Sequence, residues 1–578
     1  MLRLGILPVI FLVVAACNQP KNGMPAGDRV RLGEALKKLD SLYDPQEKML
    51  TRKLTGWNYH TDATSGTFHE VRGSLSYAAK LLDYGGKDNR DRAFDIMDKV
   101  IGLQDTVVSS RTLGVWPYYE EEPLATKKSP PDFNWADFNG VTLLDIWIDH
   151  EKELPNNLKA KIKNALILAA RSIEKRNMGP GYTNIAIMGT YVTYVTSGLF
   201  GLTDMHDYAE KRLRRFYDYT LERNGFTEYN SPTYTMVALD ELNRMQRHIT
   251  DAAASRMIDS LYAIGWDVVA RHFHKPSGQW VGPHSRAYSP LTSREFYGVL
   301  EDASDGKIVI EGAKHGAEVK IKHHIPSYLL HYFTEPTFPR TESDVFAIDS
   351  PRILATAYLT DDYALSTVNR SSLWNQRHPM MAYWGTVSHP SYFQVRFLHD
   401  FYDFSSASFY SMQRENKALA VINFILGGGD KHISIDRLKD GRFQAEDLRL
   451  RFEFGPHSII EGLRLPHRAD SILAFTADKM PFYLNIYRVE FGDLKARWET
   501  GRDDDRAWID LVLYSGKPRQ FDLTKITKGV LGFALSIGDA ATTLSTPEVI
   551  DDRDTMQVNW DGLEVRALTH PVSQPPNL

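Results

Sequence analysis

From about residue 30 to 335 the apolar positions of the chain recur at helical spacing. In "LKAKIKNALILAARS" the residues Leu158, Ile162, Ala165, Leu166 and Ala169 fall on one face, and in "SRMIDSLYAIGWDVVAR" Met257, Leu261, Ile264 and Val268 do the same. Each segment reads as a helix buried on one side. Between such segments lie loops dense in aromatic and amide residues and broken by Gly or Pro: "GVWPYYEEEP", "NWADFNG", "NMGPGYTN", "NGFTEYNSPTY" and "QWVGPHSRAYSP". Helix after helix, separated by polar aromatic loops, predicts a helical toroid whose loops gather at one end.

After about residue 375 the period changes to two. "LRLRFEF", "FYLNIYRVEF", "AWIDLVLYSG" and "VLGFALSI" alternate or run apolar in strand-length pieces bounded by turn residues. Helices followed by strands predict an α+β multidomain chain, not an interleaved parallel sheet. The expected order is an N-terminal (α/α) toroid over 31–375 and a C-terminal antiparallel β-sandwich-like domain over 376–578. The stretch "STVNRSSLWNQRHPMMAYWG" (366–385) reads as the passage between them.

A length of 578 residues agrees with more than one core. Charge removes one class of partner: 68 Lys+Arg against 73 Asp+Glu, with no basic run, leave no surface for a phosphate backbone, so no nucleic acid is expected. The 28 Tyr and 11 Trp supply flat amphipathic faces of the kind that pack on sugars, although a large aromatic core would use them equally well.

The single cysteine stands at the end of "MLRLGILPVIFLVVAAC". A cationic Arg3, an apolar run too short to span a bilayer, and Ala15 and Ala16 before Cys17 predict an export signal that resembles a bacterial lipobox. Residues 1–16 would then be a cleaved lipoprotein signal peptide, Cys17 the lipid anchor, and 17–30 a flexible tether. An exported lipoprotein of the periplasm or outer membrane is expected, touching membrane only through that anchor.

Motifs for other chemistries are weak. "GGGD" at 427–430 lacks the spacing of a phosphate loop and reads as a turn, and no histidine pair has metalloprotease spacing. No cofactor and no metal site is predicted. A divalent cation stays open only at His399, Asp400, Asp403 and His457, which read more simply as ordinary solvated or core residues. Hydrolysis of a glycosidic bond usually needs two opposed carboxylates, for which Glu120, Glu121, Glu122, Asp137 and Glu228 are available. The loops are richer in what β-elimination at a uronic acid needs: amide, His or Arg to neutralise the carboxylate, and Tyr or His to move protons at the acidic carbon.

"NGFTEYNSPTYTMVAL" resembles the segment of heparinase-like and alginate-type polysaccharide lyases in which a turn, a Glu, a Ser-Pro pair and a Tyr open a toroid helix. The resemblance carries Glu228, Ser231, Pro232 and Tyr234, and implies that Tyr234 transfers protons. "GYTNIAIMGTYV" is similar to the helix start where these enzymes place an amide facing the substrate carboxylate; Asn184 matches it. These lyases often carry His after that Asn, and here Ile185 stands instead, which turns attention to "GPHSRAYSP" with His284, Arg286 and Tyr288. The resemblance implies an (α/α) toroid with antiparallel sheets and a uronate-containing glycan as partner. The loop composition also resembles lyases that cut rhamnose–glucuronate linkages of arabinogalactan.

The expected catalytic set is therefore Tyr234, His284, Arg286, Asn184 and Tyr288, with Glu228, Tyr229, Asn230, Tyr182, Trp135 and Asn139 as substrate contacts. Trp57, Trp116 and Trp280 are further platforms or plain core. Asn184 could instead cap its helix, and Tyr234 could be buried between helices. Two rival readings stand beside the lyase: a glycoside hydrolase on an (α/α) toroid, and a non-catalytic glycan-binding lipoprotein.

Overall fold

A computed structural model describes residues 24–56, 60–317, 320–347, 352–430, 432, 434–436, 438–539 and 545–574. The expected signal peptide (1–16) and Cys17 lie outside the described residues, as does Trp57. The helices are α1 (Ala26–Asp40), α2 (Val71–Tyr84), α3 (Lys87–Gly102), α4 (Asn134–His150), α5 (Asn156–Arg176), α6 (Thr183–Phe200), α7 (Thr203–Glu222), α8 (Tyr234–His248), α9 (Ala252–Arg271), α10 (Arg294–Ala303) and the single turn α11 (His331–Thr334). Antiparallel strands follow from Arg340 onward, so the chain is α+β in the predicted order. No described helix is long and apolar enough to cross a membrane.

The described residues divide into two compact units, the first ending at Ser172 and the second beginning at Ile173, with a short return of residue 317 to the first. In the first unit α2 packs against α1, α3 and α4. A three-stranded sheet (Tyr43–Asp44, Met49–Leu54, Gly66–Glu70), absent from the sequence reading, precedes α2. The predicted stripe of α5 is buried from Leu158 through Ala169.

In the second unit α6 packs on α7 and α8, and α9 on α7 and α8. Every residue of α6 from Thr183 to Ser197 is buried, so this helix has no polar face and no amphipathic period to read. Gly265 of α9 faces Leu239 of α8: a Cβ there would lie 2.8 Å from the leucine Cδ2, so glycine permits the close approach that fixes the axis of α8.

Two large antiparallel sheets follow in this unit, beside a two-stranded pair (Phe273–His274, Gln279–Trp280) and a three-stranded sheet (Glu548–Asp552, Thr555–Trp560, Leu563–Leu568). The larger has nine strands and runs from Arg497–Arg502 through Ala507–Asp522, Arg442–Gly455, Pro390–His399, Met380–Gly385, Tyr363–Val368 and Ile353–Leu359 to Arg340–Ala347, with Tyr402–Asp403 pairing on Pro390–His399. The smaller, of seven strands, is centred on Met480–Phe491, Gly529–Ile537 and Lys417–Phe424. Their apolar faces share one core: Phe393 meets Phe482 at 5.5 Å and Phe452 meets Phe533 at 5.3 Å. Burying each such ring contributes roughly 1.5–3 kcal/mol. The four strands predicted from period two all lie in these sheets.

The change from helix to strand comes earlier than the apolar period suggested. Residues 366–385 are not a passage; they contain Arg370–Ser372 and Met380–Gly385 and the end of Tyr363–Val368, strands of both sheets. Ser366, Thr367, Ser372 and Met381 are all buried, so alternation in side-chain polarity disappears where both faces are covered. Arg271 at the end of α9 ties helices to the first strand of the large sheet, donating to Asp267, Glu342 and Asp344, and the paired Arg271 and His272 hold the Asp344 carboxyl well below the usual carboxylate range against the effect of its burial.

Candidate active site

The site is built on the stretch before α8. Asn230 takes a left-handed conformation (φ 43°), which asparagine tolerates better than most residues. Its amide is used within the protein: Nδ2 donates to the carbonyls of Val281 (2.9 Å) and Pro283 (3.0 Å), and Oδ1 accepts the Trp280 indole N–H (2.5 Å). Ser285 donates from its hydroxyl to the Tyr229 carbonyl at 2.5 Å. Ser231 caps α8 by accepting the Tyr234 N–H (3.0 Å) while its own hydroxyl donates to the Arg286 carbonyl (2.5 Å). The amides and hydroxyls of "NGFTEYNSPTY" thus fasten this loop to the loop 279–290. A third segment closes the set: His284 and His378 exchange backbone N–H···O bonds of 3.0 Å, and the Ala287 N–H donates to the Gln376 carbonyl at 2.8 Å.

Arg286 is the hub. Its Nη2 donates to the Tyr234 hydroxyl (3.0 Å), its Nε to Gln376 Oε1 (2.8 Å) and its Nη1 to Glu228 (3.3 Å), while the guanidinium carbon sits 4.6 Å from the Tyr234 ring centroid and 5.3 Å from that of Trp374. The Tyr234 and Tyr288 hydroxyls share a hydrogen bond of 2.8 Å; Tyr234 is half-buried, and Tyr288 is 61% exposed. Burial raises the Tyr234 phenol above its ordinary range, opposed by the Arg286 charge and assisted by the bond to Tyr288, so the phenol is protonated at rest.

Glu228 is buried, and its second carboxyl oxygen has no hydrogen-bond partner. Burial pushes its pKa up to about 7; the Arg286 charge and the Asn184 backbone N–H act in the opposite direction. Asn184 is the second residue of α6, buried, with its side-chain Oδ1 unpartnered, and Tyr182 is the half-buried residue preceding that helix. The unpartnered Oδ1 is an acceptor suited to a sugar hydroxyl, while the donor Nδ2 of the same amide, at the positive end of a helix, is the group that can face a carboxylate.

The remaining expected residues take other positions. His284 is buried, its Nδ1 donates to the Asn230 carbonyl at 2.8 Å, and its Nε2 lies 3.5 Å from the Tyr383 hydroxyl. Burial lowers its pKa to about 3, so it is a neutral imidazole. Tyr229 stacks on Phe346 with ring centroids 4.3 Å apart. Trp135 and Asn139 belong to the first unit, where Trp135 stacks on Tyr118 at 4.7 Å and its carbonyl accepts from Asn139 Nδ2 at 2.9 Å. Trp116 and Trp280 are core residues, each 1% exposed. The histidines and acids named for a cation have other partners: His399 bonds Asp436 and the Gln444 carbonyl, Asp403 takes Arg396 through both oxygens, and His457 bonds the Asp504 carbonyl.

Trp374, Gln376 and His378 had no place in the sequence reading, because their segment passed for a connector. Its density of Trp, Asn, Gln, Arg and His, matching that of the other loops, was the available signal.

Residues 31–305 match a domain family described as a domain of unknown function, DUF8769. No curated protein matches the chain. Among solved structures it is similar to a heparinase III, at 9% identity and a TM-score of 0.40 over 95% of this chain and 91% of that one. It is also similar to the heparan sulfate lyase HepC from Pedobacter heparinus, at 7% identity and a TM-score of 0.36 over 95% of this chain and 90% of that one.

Proposed function

We propose that the protein is a polysaccharide lyase that cleaves beside a uronic acid of glucuronate type by β-elimination, and that it works as an exported lipoprotein anchored through Cys17. The observation that carries the reading is the Tyr234 hydroxyl held 3.0 Å from the Arg286 guanidinium, next to a carboxyl group poised near neutrality. Arg286 and Asn184 receive the uronate carboxylate. Its arrival next to Glu228 places two like charges together, so Glu228 takes up a proton and the charge of Arg286 is released to the substrate. That charge stabilises the enolate formed when the proton beside the carboxylate is removed. Tyr234, a phenol at rest, enters the cycle by losing its proton to water; the phenolate, held by the cation beside it, accepts the carbon-bound proton, and the phenol so formed gives that proton to the departing glycosidic oxygen, so each turnover ends in the protonation state in which it began. His284, neutral and enclosed, positions the loop that bears Arg286. Rhamnose–glucuronate linkages of arabinogalactan are one substrate of this class.

Of the other acids a hydrolase would draw on, Glu120 pairs with Lys99, Glu121 with His69 and Glu122 with Lys127, while Asp137 is buried within the first unit. Mass spectrometry of the products from a uronate glycan decides the matter. Elimination gives a chain end one water lighter than hydrolysis does. Products of hydrolytic mass would overturn the reading.

A further inference from the structure

The two loops that bear Tyr288 and Trp374 also form one wall of a cleft of about 640 Å³ on the large sheet. Trp374 and His378 are among its lining residues, and Trp374 Nε1 and His378 Nε2, both buried, have no hydrogen-bond partner, so the wall behind the exposed Tyr288 holds polar groups left for a ligand hydroxyl or water to satisfy. Its charges are unevenly balanced. Arg396 is neutralised by Asp403 at 2.7 Å and Glu453 at 2.8 Å, Arg377 by Asp430 at 2.6 Å, and Arg506 by Asp503 at 2.7 Å. Asp504 and Asp505 add two exposed carboxylates at the rim. Each arginine of the cleft already has a carboxylate, and the surplus is negative. A sulfate would meet paired cations and two like charges, whereas an uncharged sugar would meet an aromatic wall and hydrogen-bonding edges.

We infer that this cleft is the subsite for the sugar adjoining the uronate, and that it selects a neutral, unsulfated residue. The inference rests on the lyase reading for the position of the uronate, and its test is kept separate from turnover. Binding of two matched oligosaccharides to the full chain carrying Tyr234→Phe is measured by calorimetry at low ionic strength. Both end in glucuronate joined to the same neutral sugar, and one carries a sulfate on that sugar. The sulfated ligand should bind roughly tenfold more weakly, as two like charges at about 6 Å in water require. In Tyr234→Phe with Asp504→Asn and Asp505→Asn the gap should shrink to roughly twofold, with the affinity of the unsulfated ligand retained. Equal or tighter binding of the sulfated ligand, a gap unchanged by the two Asn substitutions, or no binding of either ligand would overturn the inference. Good discrimination in binding, with no unsaturated product from the wild-type chain, would instead overturn the lyase reading alone.

Discussion

Arg286 and Tyr234, 52 positions apart, are joined by a 3.0 Å hydrogen bond from guanidinium to phenol. The same guanidinium reaches Glu228 and Gln376, so one side chain connects the start of α8, the loop before it and the segment 373–379 between two strands. Its planar fork serves three acceptors in three directions, a task that a lysine ammonium on a flexible stem cannot reproduce. Arg286→Lys and Arg286→Ala should therefore both lower kcat/KM by at least about a hundredfold, as expected when a preorganised charge aimed at a developing anion is lost. Lysine retaining near wild-type turnover would show that charge alone suffices.

Glu228 and His284 give opposite pH signatures. The folded pKa of Glu228, about 7, exceeds its unfolded value, so the folded state binds more protons between about pH 4.5 and 7 and stability falls as pH rises through that window. The folded pKa of His284, about 3, lies below its unfolded value, so its contribution is present above about pH 6.5 and is lost as pH falls toward 3. Urea midpoints measured from pH 4 to 8 should fall less steeply on the alkaline side for Glu228→Gln than for wild type. His284→Gln should lessen the loss on the acid side.

Asn230 is a structural residue of the site. Asn230→Ala strands the Val281 and Pro283 carbonyls and the Trp280 indole N–H, all inside the protein, and places alanine at a positive φ. A loss of at least about 3 kcal/mol is expected, since each of the three stranded buried groups costs about 1–3 kcal/mol. Differential scanning calorimetry would show the lowered Tm, and a change within error would mean that the two loops hold together without this amide.

In the large sheet Asp510 is fully buried and accepts from Arg449 (2.7 Å) and from Arg451 (2.9 and 2.8 Å). Asp510→Ala leaves two buried guanidinium groups short of a counter-charge and should destabilise the second unit by about 3–5 kcal/mol. Chemical denaturation followed by tryptophan fluorescence measures it; a loss under about 1 kcal/mol would show that Asp447 compensates Arg449 unaided.

The sequence was informative where one side of an element faces water and the other the core. The α5 stripe from Leu158 to Ala169 is buried as its spacing predicts, and Leu448, Leu450, Phe452 and Phe454 point into the sandwich core. It was silent where both faces are covered. The intervening Arg449, Arg451 and Glu453 look like a solvated face but are buried in ion pairs, and α6 has no polar side at all. The site shows the same division. Tyr234, Glu228, Asn184 and Arg286 stood out because each lies in a loop or helix start with unusual composition. Gln376 and His378 did not, since their roles depend on contacts made some 90 residues away in the chain, which local spacing cannot encode. His284 was visible as a residue but not as a buried one: enclosed beside Asn230 and Tyr383, its imidazole is kept neutral by burial.

The most direct test of the account is an ultraviolet progress curve of the protein, expressed from residue 18 onward, on a panel of glucuronate-containing glycans, run beside Tyr234→Phe and Arg286→Ala. Elimination creates a carbon–carbon double bond conjugated with the uronate carboxylate. The account predicts absorbance that rises with the wild type and collapses in both variants while their folds, checked by circular dichroism, stay intact. Released sugar without any rise in absorbance, or an undiminished rise in Tyr234→Phe, would contradict it.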